Sequence, residues 1–173
     1  MKLVLKILAT ILLIIVLGGL ILPNDFKVER SIVIKATNQN IHQYVNDLKR
    51  WPRWSPWLKQ DPSIKIVLGD ITEGVGASQQ WTAKGGGGHL MITQSSAESG
   101  IDYNFYFEGD DTAYPASIHY SEGKMPIRVT WSMHGQIDHL ILGPYIAMLM
   151  NPMVGKSFSE GLNRLKSVIE SDG

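Results

Sequence analysis

The spacing of hydrophobic positions changes several times along the chain, and each change marks an element. From Leu3 to Leu22 nearly every position is apolar, with Lys6, Thr10, Gly18 and Gly19 the exceptions. A helix that is apolar on every side has no face to offer water. A run of about 20 residues at 1.5 Å rise matches the hydrocarbon thickness of a bilayer. Lys6 sits near one end, where its side chain can snorkel to the headgroups. The segment ends at Pro23-Asn24-Asp25, and a strand pattern begins at once. Residues 1–23 are therefore read as a transmembrane anchor and residues 24–173 as one folded domain lying close to the membrane. A cleaved signal peptide is the competing reading. Such signals end in a small-x-small site, and Gly19-Leu20-Ile21-Leu22-Pro23 offers no convincing pair.

Beyond the anchor the period drops to two. Phe26, Val28, Ile32 and Ile34 alternate with mostly polar neighbours, as a strand does. Thr37-Asn38-Gln39-Asn40 supplies capping residues, and Ile41, Tyr44, Val45 and Leu48 follow at helical spacing. The stretch Trp51-Pro52-Arg53-Trp54-Ser55-Pro56-Trp57 is too rich in proline for more than one or two helical turns. Strand patterns then recur at Ile64–Leu68, Ala77–Ala83, His89–Gln94, Ile101–Glu108, Ala116–Tyr120 and Ile127–Gly135. The four glycines Gly85 to Gly88 read as a mobile hairpin loop between two of them. Short connections imply an antiparallel meander. A long helix closes the chain, with Pro144 in its first turn. Its apolar positions are Leu149, Met153, Phe158, Leu162, Leu165 and Ile169, and Pro152 and Gly155 are expected to kink or weaken its early part. The expected fold is thus α+β: a curved antiparallel sheet of seven strands against a long C-terminal helix.

Composition narrows the function classes. The 173 residues carry no net charge, which leaves no electrostatic footprint for nucleic acid. With no cysteine, disulfides, thiolate metal sites and a cysteine nucleophile are excluded. Lys2 precedes the apolar run and Lys6 lies near its start, whereas Asp25, Lys27, Glu29 and Arg30 after it cancel. The positive-inside bias then puts the N-terminus in the cytoplasm and the domain outside, periplasmic or extracellular.

Several local patterns carry a resemblance. They are Val28-Glu29-Arg30-Ser31-Ile32, the Trp51–Trp57 stretch, Asp61-Pro62, and Gly74-Val75-Gly76-Ala77 with Trp81. Val129-Thr130-Trp131-Ser132-Met133-His134-Gly135 and Phe158-Ser159-Glu160-Gly161-Leu162-Asn163-Arg164-Leu165-Lys166 complete the set. Over about Phe26 to Glu170 the chain resembles the SRPBCC superfamily, also called START-like or helix-grip proteins. Within it, the chain looks most like bacterial members labelled polyketide cyclase/dehydrase. The resemblance implies a helix-grip fold with an internal cavity for lipids, sterols, polyketides or other apolar molecules. These motifs mark the fold and carry no catalytic signature.

The ligand-facing residues expected in such a cavity are Trp54, Trp57, Trp81, Tyr103, Phe105, Met133, Met153 and Phe158. Aromatic rings give large apolar area with a polar handle, and methionines give an adaptable surface. The same tryptophans could instead pin the helices to the sheet, and the Ile101/Tyr103/Phe105/Phe107 stripe could be plain core. No metal site is expected, because His42, His89, His119, His134 and His139 show no ligand spacing. His119 and His134 could meet across strands, although alternation points His134 outward. Gly155-Lys156-Ser157 lacks the upstream glycine and strand of a phosphate loop. No nucleophile–base–orienter set is visible, and no cofactor is implied. Three functions remain: a membrane-anchored binder or carrier of a hydrophobic small molecule or lipid, a polyketide cyclase/dehydratase-like enzyme, or a non-catalytic envelope scaffold or partner-binding domain.

Overall fold

In a computed structural model, which describes residues 1–172, the expected α+β architecture is present. Helix α1 (Lys2–Ile21) is followed by β1 (Asp25–Ile34), α2 (Asn38–Val45), and the single-turn helices α3 (Trp51–Trp54) and α4 (Trp57–Gln60). Then come β2 (Lys65–Leu68), β3 (Ser78–Ala83), β4 (Gly86–Ser96), β5 (Gly100–Phe107), β6 (Tyr114–Tyr120), β7 (Ile127–Gln136) and α5 (Gly143–Asp172). The seven strands form one sheet in the order β1-β7-β6-β5-β4-β3-β2, and every pairing is antiparallel. The meander puts sequence neighbours side by side, and β1 joins at the far edge by pairing with β7 from Asp25↔Gln136 to Ile34↔Ile127. A register shift between Ile92 and Gln94 bends β4. Helix α5 packs against β1 and β7 and closes the concave side.

The core lies between sheet and helices. Val28, Ile92, Ile101, Ile118, Val129 and Trp131 point inward from alternate strand positions, as period-two patterning requires. Leu162, Leu165 and Ile169 meet them from α5.

Two expectations need correction. Gly86, Gly87 and Gly88 are not loop: they pair with Ala83, Thr82 and Trp81 inside β4, and the turn is only Lys84-Gly85. The reason is steric. A Cβ at Gly88 would collide with the Trp81 indole and the Tyr106 carbonyl, so glycine lets the ring lie flat across the neighbouring strand. Helix α5 runs through Pro152, where the sequence expects a weak point. Proline removes one backbone bond, and the turn is braced by Arg30, whose Nη2 donates to Asn151 Oδ1 at 2.9 Å. A Cβ at Gly155 would push the Arg30 guanidinium out of this position. Finally, Leu149 and Met153 do not face the core. The buried side of the first half of α5 is Ala147, Met150 and Val154, and the other apolar stripe is exposed.

The described histidines make separate local contacts. His119 bonds Asp102 at 2.9 Å on the outer face rather than meeting His134, which is exposed. His42 links three elements, its ring nitrogens lying 3.2 Å from Tyr120 Oη and 3.2 Å from Ser95 Oγ. Burial lowers its pKa below the ordinary 6.5, against the opposing pull of Glu73 and Glu98. The unfolded chain then binds this proton more readily than the folded one, so stability falls as pH drops through about 6.5 towards the folded value. Urea midpoints are expected to be lower at about pH 5.5 than at about pH 7.5, and His42→Gln should flatten that difference. An unchanged pH response in the variant would assign it to other groups.

Candidate functional site

The sheet curves away from the N-terminal half of α5 and leaves a cavity of about 260 Å³. An engineered apolar cavity of about 150 Å³ already stays dry and takes up benzene. This one has room for one or two rings or a short chain. Its deep end is formed by Trp51, Leu90, Tyr103, Trp131, Met133 and Phe158, all buried. Its rim carries Trp57, Leu58, Ile64, Ile66, Trp81 and Phe107, with Met150 and Val154 supplied by α5.

Local sequence explains each wall. The inward face of β5 presents Tyr103, Phe105 and Phe107 in a row, and exposure rises towards the sheet end, so Phe107 is 40% exposed. Trp81 on β3 sits tilted on Phe105 with ring centroids 4.7 Å apart, and Phe105 meets Phe107 edge-on at 4.9 Å. At the deep end Trp131 stacks on Phe158 at 4.1 Å with an interplanar angle of 5°. Gly161 permits this approach, since a Cβ there would lie 2.7 Å from the Trp131 ring.

Six of the eight residues expected from sequence line this cavity: Trp57, Trp81, Tyr103, Phe105, Met133 and Phe158. Trp54 and Met153 do not. Trp54 is fully buried between Trp51 and Trp131, at 5.1 Å and 5.4 Å. Its Nε1 donates to the Tyr44 carbonyl at 3.0 Å, and Trp51 Nε1 donates to the Val45 carbonyl at 2.8 Å. These are last-turn carbonyls of α2, which no further helical turn satisfies. The two indoles therefore fasten the helix end to the core. Met153 is 67% exposed, on the side of α5 away from the sheet.

The residues that sequence reasoning overlooked include Trp51, Leu90, Val154 and Gln79. Strand parity contains the signal for two of them. Gln79 shares the inward face of β3 with Trp81, and Leu90 shares that of β4 with Ile92.

The lining is almost without charge. It contains no carboxylate, histidine, lysine or arginine. Its ionisable group is Tyr103, whose hydroxyl accepts from Trp131 Nε1 at 2.8 Å. Burial pushes the Tyr103 pKa well above the usual phenol range, so it stays neutral. Tyr103 has no second ionisable group beside it in this wall. Gln79 is the other notable polar group. It is 7% exposed, and its Oε1 is buried with no hydrogen-bond partner. Leaving such an acceptor unpaired costs about 1–3 kcal/mol. Among the described residues no cluster of three or more His, Asp or Glu could hold a metal ion.

No curated protein sequence matches the chain. Solved structures match its fold. The dynemicin-locus protein DynU16 is 12% identical, with a TM-score of 0.60 over 84% of this chain, which spans only 48% of that one. Ara h 8.0201 is 12% identical, with a TM-score of 0.60, covering 85% of this chain and 99% of that one. A protein from Thermobifida fusca is 17% identical, with a TM-score of 0.62, covering 83% and 92%. At these identities the likeness establishes the START-like, helix-grip fold and nothing finer. The family model described as "Polyketide cyclase / dehydrase and lipid transport" matches residues 25–170, and the chain belongs to that family.

Proposed function

We propose that this protein is a membrane-tethered binder or carrier of a small hydrophobic molecule. The observation that carries the reading is the cavity of about 260 Å³, walled by aromatic and aliphatic side chains and lacking charge. Transfer of each methylene from water into such a space is worth about 0.8 kcal/mol, so binding needs no catalytic group. Its size suits a ring system or part of one chain, and a two-chain lipid would not fit whole.

Tethering is supported by α1, which is long and apolar enough to cross a membrane and is almost wholly exposed. Its contact with the domain also favours a bilayer position. Tyr145 Oη donates to the Ile15 carbonyl at 2.9 Å, and Gly19 packs on the Ile141 backbone. Ile15 lies six residues before the end of α1, about 9 Å along its axis. The start of α5 would then dip below the water boundary. That segment suits the position: residues 140–155 contain no charged side chain, and Leu140, Leu142, Met148, Leu149 and Met153 are exposed. Lys2 and Lys6, in the first turns of α1, favour a cytoplasmic N-terminus with the domain on the other side.

Native mass spectrometry of the full chain, released from mild detergent, tests the reading. A reproducible small apolar molecule is expected to co-purify. Trp81→Ala should lose it more readily than Lys84→Ala, since Trp81 lines the cavity and Lys84 sits in the turn. Equal retention by both variants would remove the aromatic wall from the argument. A chain that neither carries such a molecule nor takes up an added apolar one would favour the scaffold reading.

A further inference from the structure

The register of the sheet locates the open end of the cavity. Ile66, Trp81, Gly88 and Phe107 pair in one row across β2, β3, β4 and β5. Ile66, Trp81 and Phe107 belong to the cavity rim. Two residues back along β5, Phe105 pairs with Tyr114 on β6, and a Cβ at Gly135 of β7 would meet the rings of Tyr114 and Phe26. Phe26 is the second residue of β1, which follows α1 after only Leu22, Pro23 and Asn24. The rim therefore lies at the end of the sheet where the chain leaves its apolar N-terminal helix. Across the gap, Met150 and Val154 stand roughly 10 and 16 Å along α5 from Gly143. The same turns carry the exposed Ile146, Leu149 and Met153, and no charged side chain occurs from residue 140 to 155. An exposed apolar ridge of this kind marks a surface that meets a partner or a membrane. The ridge is continuous with α1, to which the Tyr145 hydroxyl ties it through the Ile15 carbonyl, so the bilayer that holds α1 is the cover within reach.

Resting on the reading of the cavity as a ligand site and of α1 as an anchor, we infer that the cavity opens against the bilayer. Its ligand is then a neutral apolar molecule dissolved in the membrane, which passes between hydrocarbon and cavity without crossing water. Charge follows the same layout. The lining and the ridge carry none. Glu108, Asp110 and Asp111 follow Phe107 on the sheet side of the rim. Carboxylates are costly in hydrocarbon, so that side rests among the headgroups while the ridge of α5 reaches the acyl chains.

The chain has no cysteine, so single-cysteine variants each accept one nitrobenzoxadiazole label. Full chains are placed in phosphatidylcholine vesicles containing phosphatidylcholine spin-labelled on the headgroup or on the acyl chain, and quenching of the label is read. Leu8→Cys reports on α1, Leu149→Cys on the ridge, Lys84→Cys on the sheet side of the mouth, and Glu98→Cys on the β4–β5 turn at the opposite end of the sheet. Acyl-chain spin labels are expected to quench positions 8 and 149 severalfold more than position 98, and headgroup spin labels to do the same at position 84. Should Leu149→Cys fold poorly, the exposed Met153→Cys replaces it. Quenching at position 149 or 84 no stronger than at position 98, with position 8 quenched, would turn the mouth to the water and overturn the inference while leaving the anchor. An unquenched position 8 would remove the anchor and the inference with it. The cavity is tested separately with 1-bromonaphthalene, a quencher of tryptophan fluorescence. In detergent it should quench wild type more than Leu90→Trp, whose added ring occupies the cavity; equal quenching would overturn the cavity reading itself. Dissolved in the vesicles, the same compound should again discriminate the two chains. Discrimination in detergent alone would show that a membrane-dissolved ligand does not reach the cavity, and would overturn the inference.

Discussion

Trp131→Ala is expected to destabilise the domain by about 3–5 kcal/mol, the range for removing a fully buried large aromatic side chain. Trp131 is 1% exposed and stands where sheet, α3 and α5 meet. It stacks on Phe158, meets Trp54 edge-on at 5.4 Å, and donates to Tyr103 Oη at 2.8 Å. Truncation loses the burial, both ring contacts and a hydrogen bond, and it joins a new void to the existing cavity. That void cannot collapse easily, because Gly161 opposite has no side chain to fill it. Trp131→Phe should cost less, since it keeps a ring against Phe158. Urea unfolding of the detergent-solubilised chain, followed by far-UV circular dichroism, gives the comparison. A loss below about 1 kcal/mol for the alanine variant would show that the junction is not close-packed.

Leu90→Trp is expected to lower apolar-probe affinity by more than tenfold while leaving the domain folded. Leu90 is 2% exposed and points into the deep end from β4, between Gln79 on β3 and Phe105 on β5. In a filled core such an enlargement costs about 1–3 kcal/mol through strained rotamers and displaced backbone. Here the extra ring has a void to enter, so the cost should fall at or below the low end of that range. Loss of binding with retained stability would mark the cavity as the binding space. Retained binding would place the probe elsewhere, for instance on the exposed apolar stripe of α5.

Both experiments concern features that the sequence made visible to different degrees. Inward and outward positions on β5 and β7 were legible because alternation is a local property: Tyr103 and Trp131 had to share their faces with Ile101 and Met133. Trp54 was not legible in this way. Its destination depended on two carbonyls at the end of α2, and no spacing in the Trp51–Trp57 stretch records which indole will reach them. Met153 failed for another reason. The first half of α5 is apolar on both sides, so Ile146/Leu149/Met153 and Ala147/Met150/Val154 satisfy helical periodicity equally well. Only contact with the sheet and with α1 separates them.

The chain's own order of residues determined the element order, the seven-strand antiparallel meander, the apolar N-terminal helix and the aromatic character of the interior. Those follow from backbone periodicity and turn chemistry, which act over a few residues at a time. Tertiary structure alone decided that Gly86 to Gly88 belong to a strand beneath an indole, which stripe of α5 is buried, and that the sheet stands off from the helix by enough to leave a cavity. It also left the side-chain oxygen of Gln79 buried without a partner. Such outcomes depend on how distant surfaces fit once brought together, and a volume left between two elements is written in neither of them.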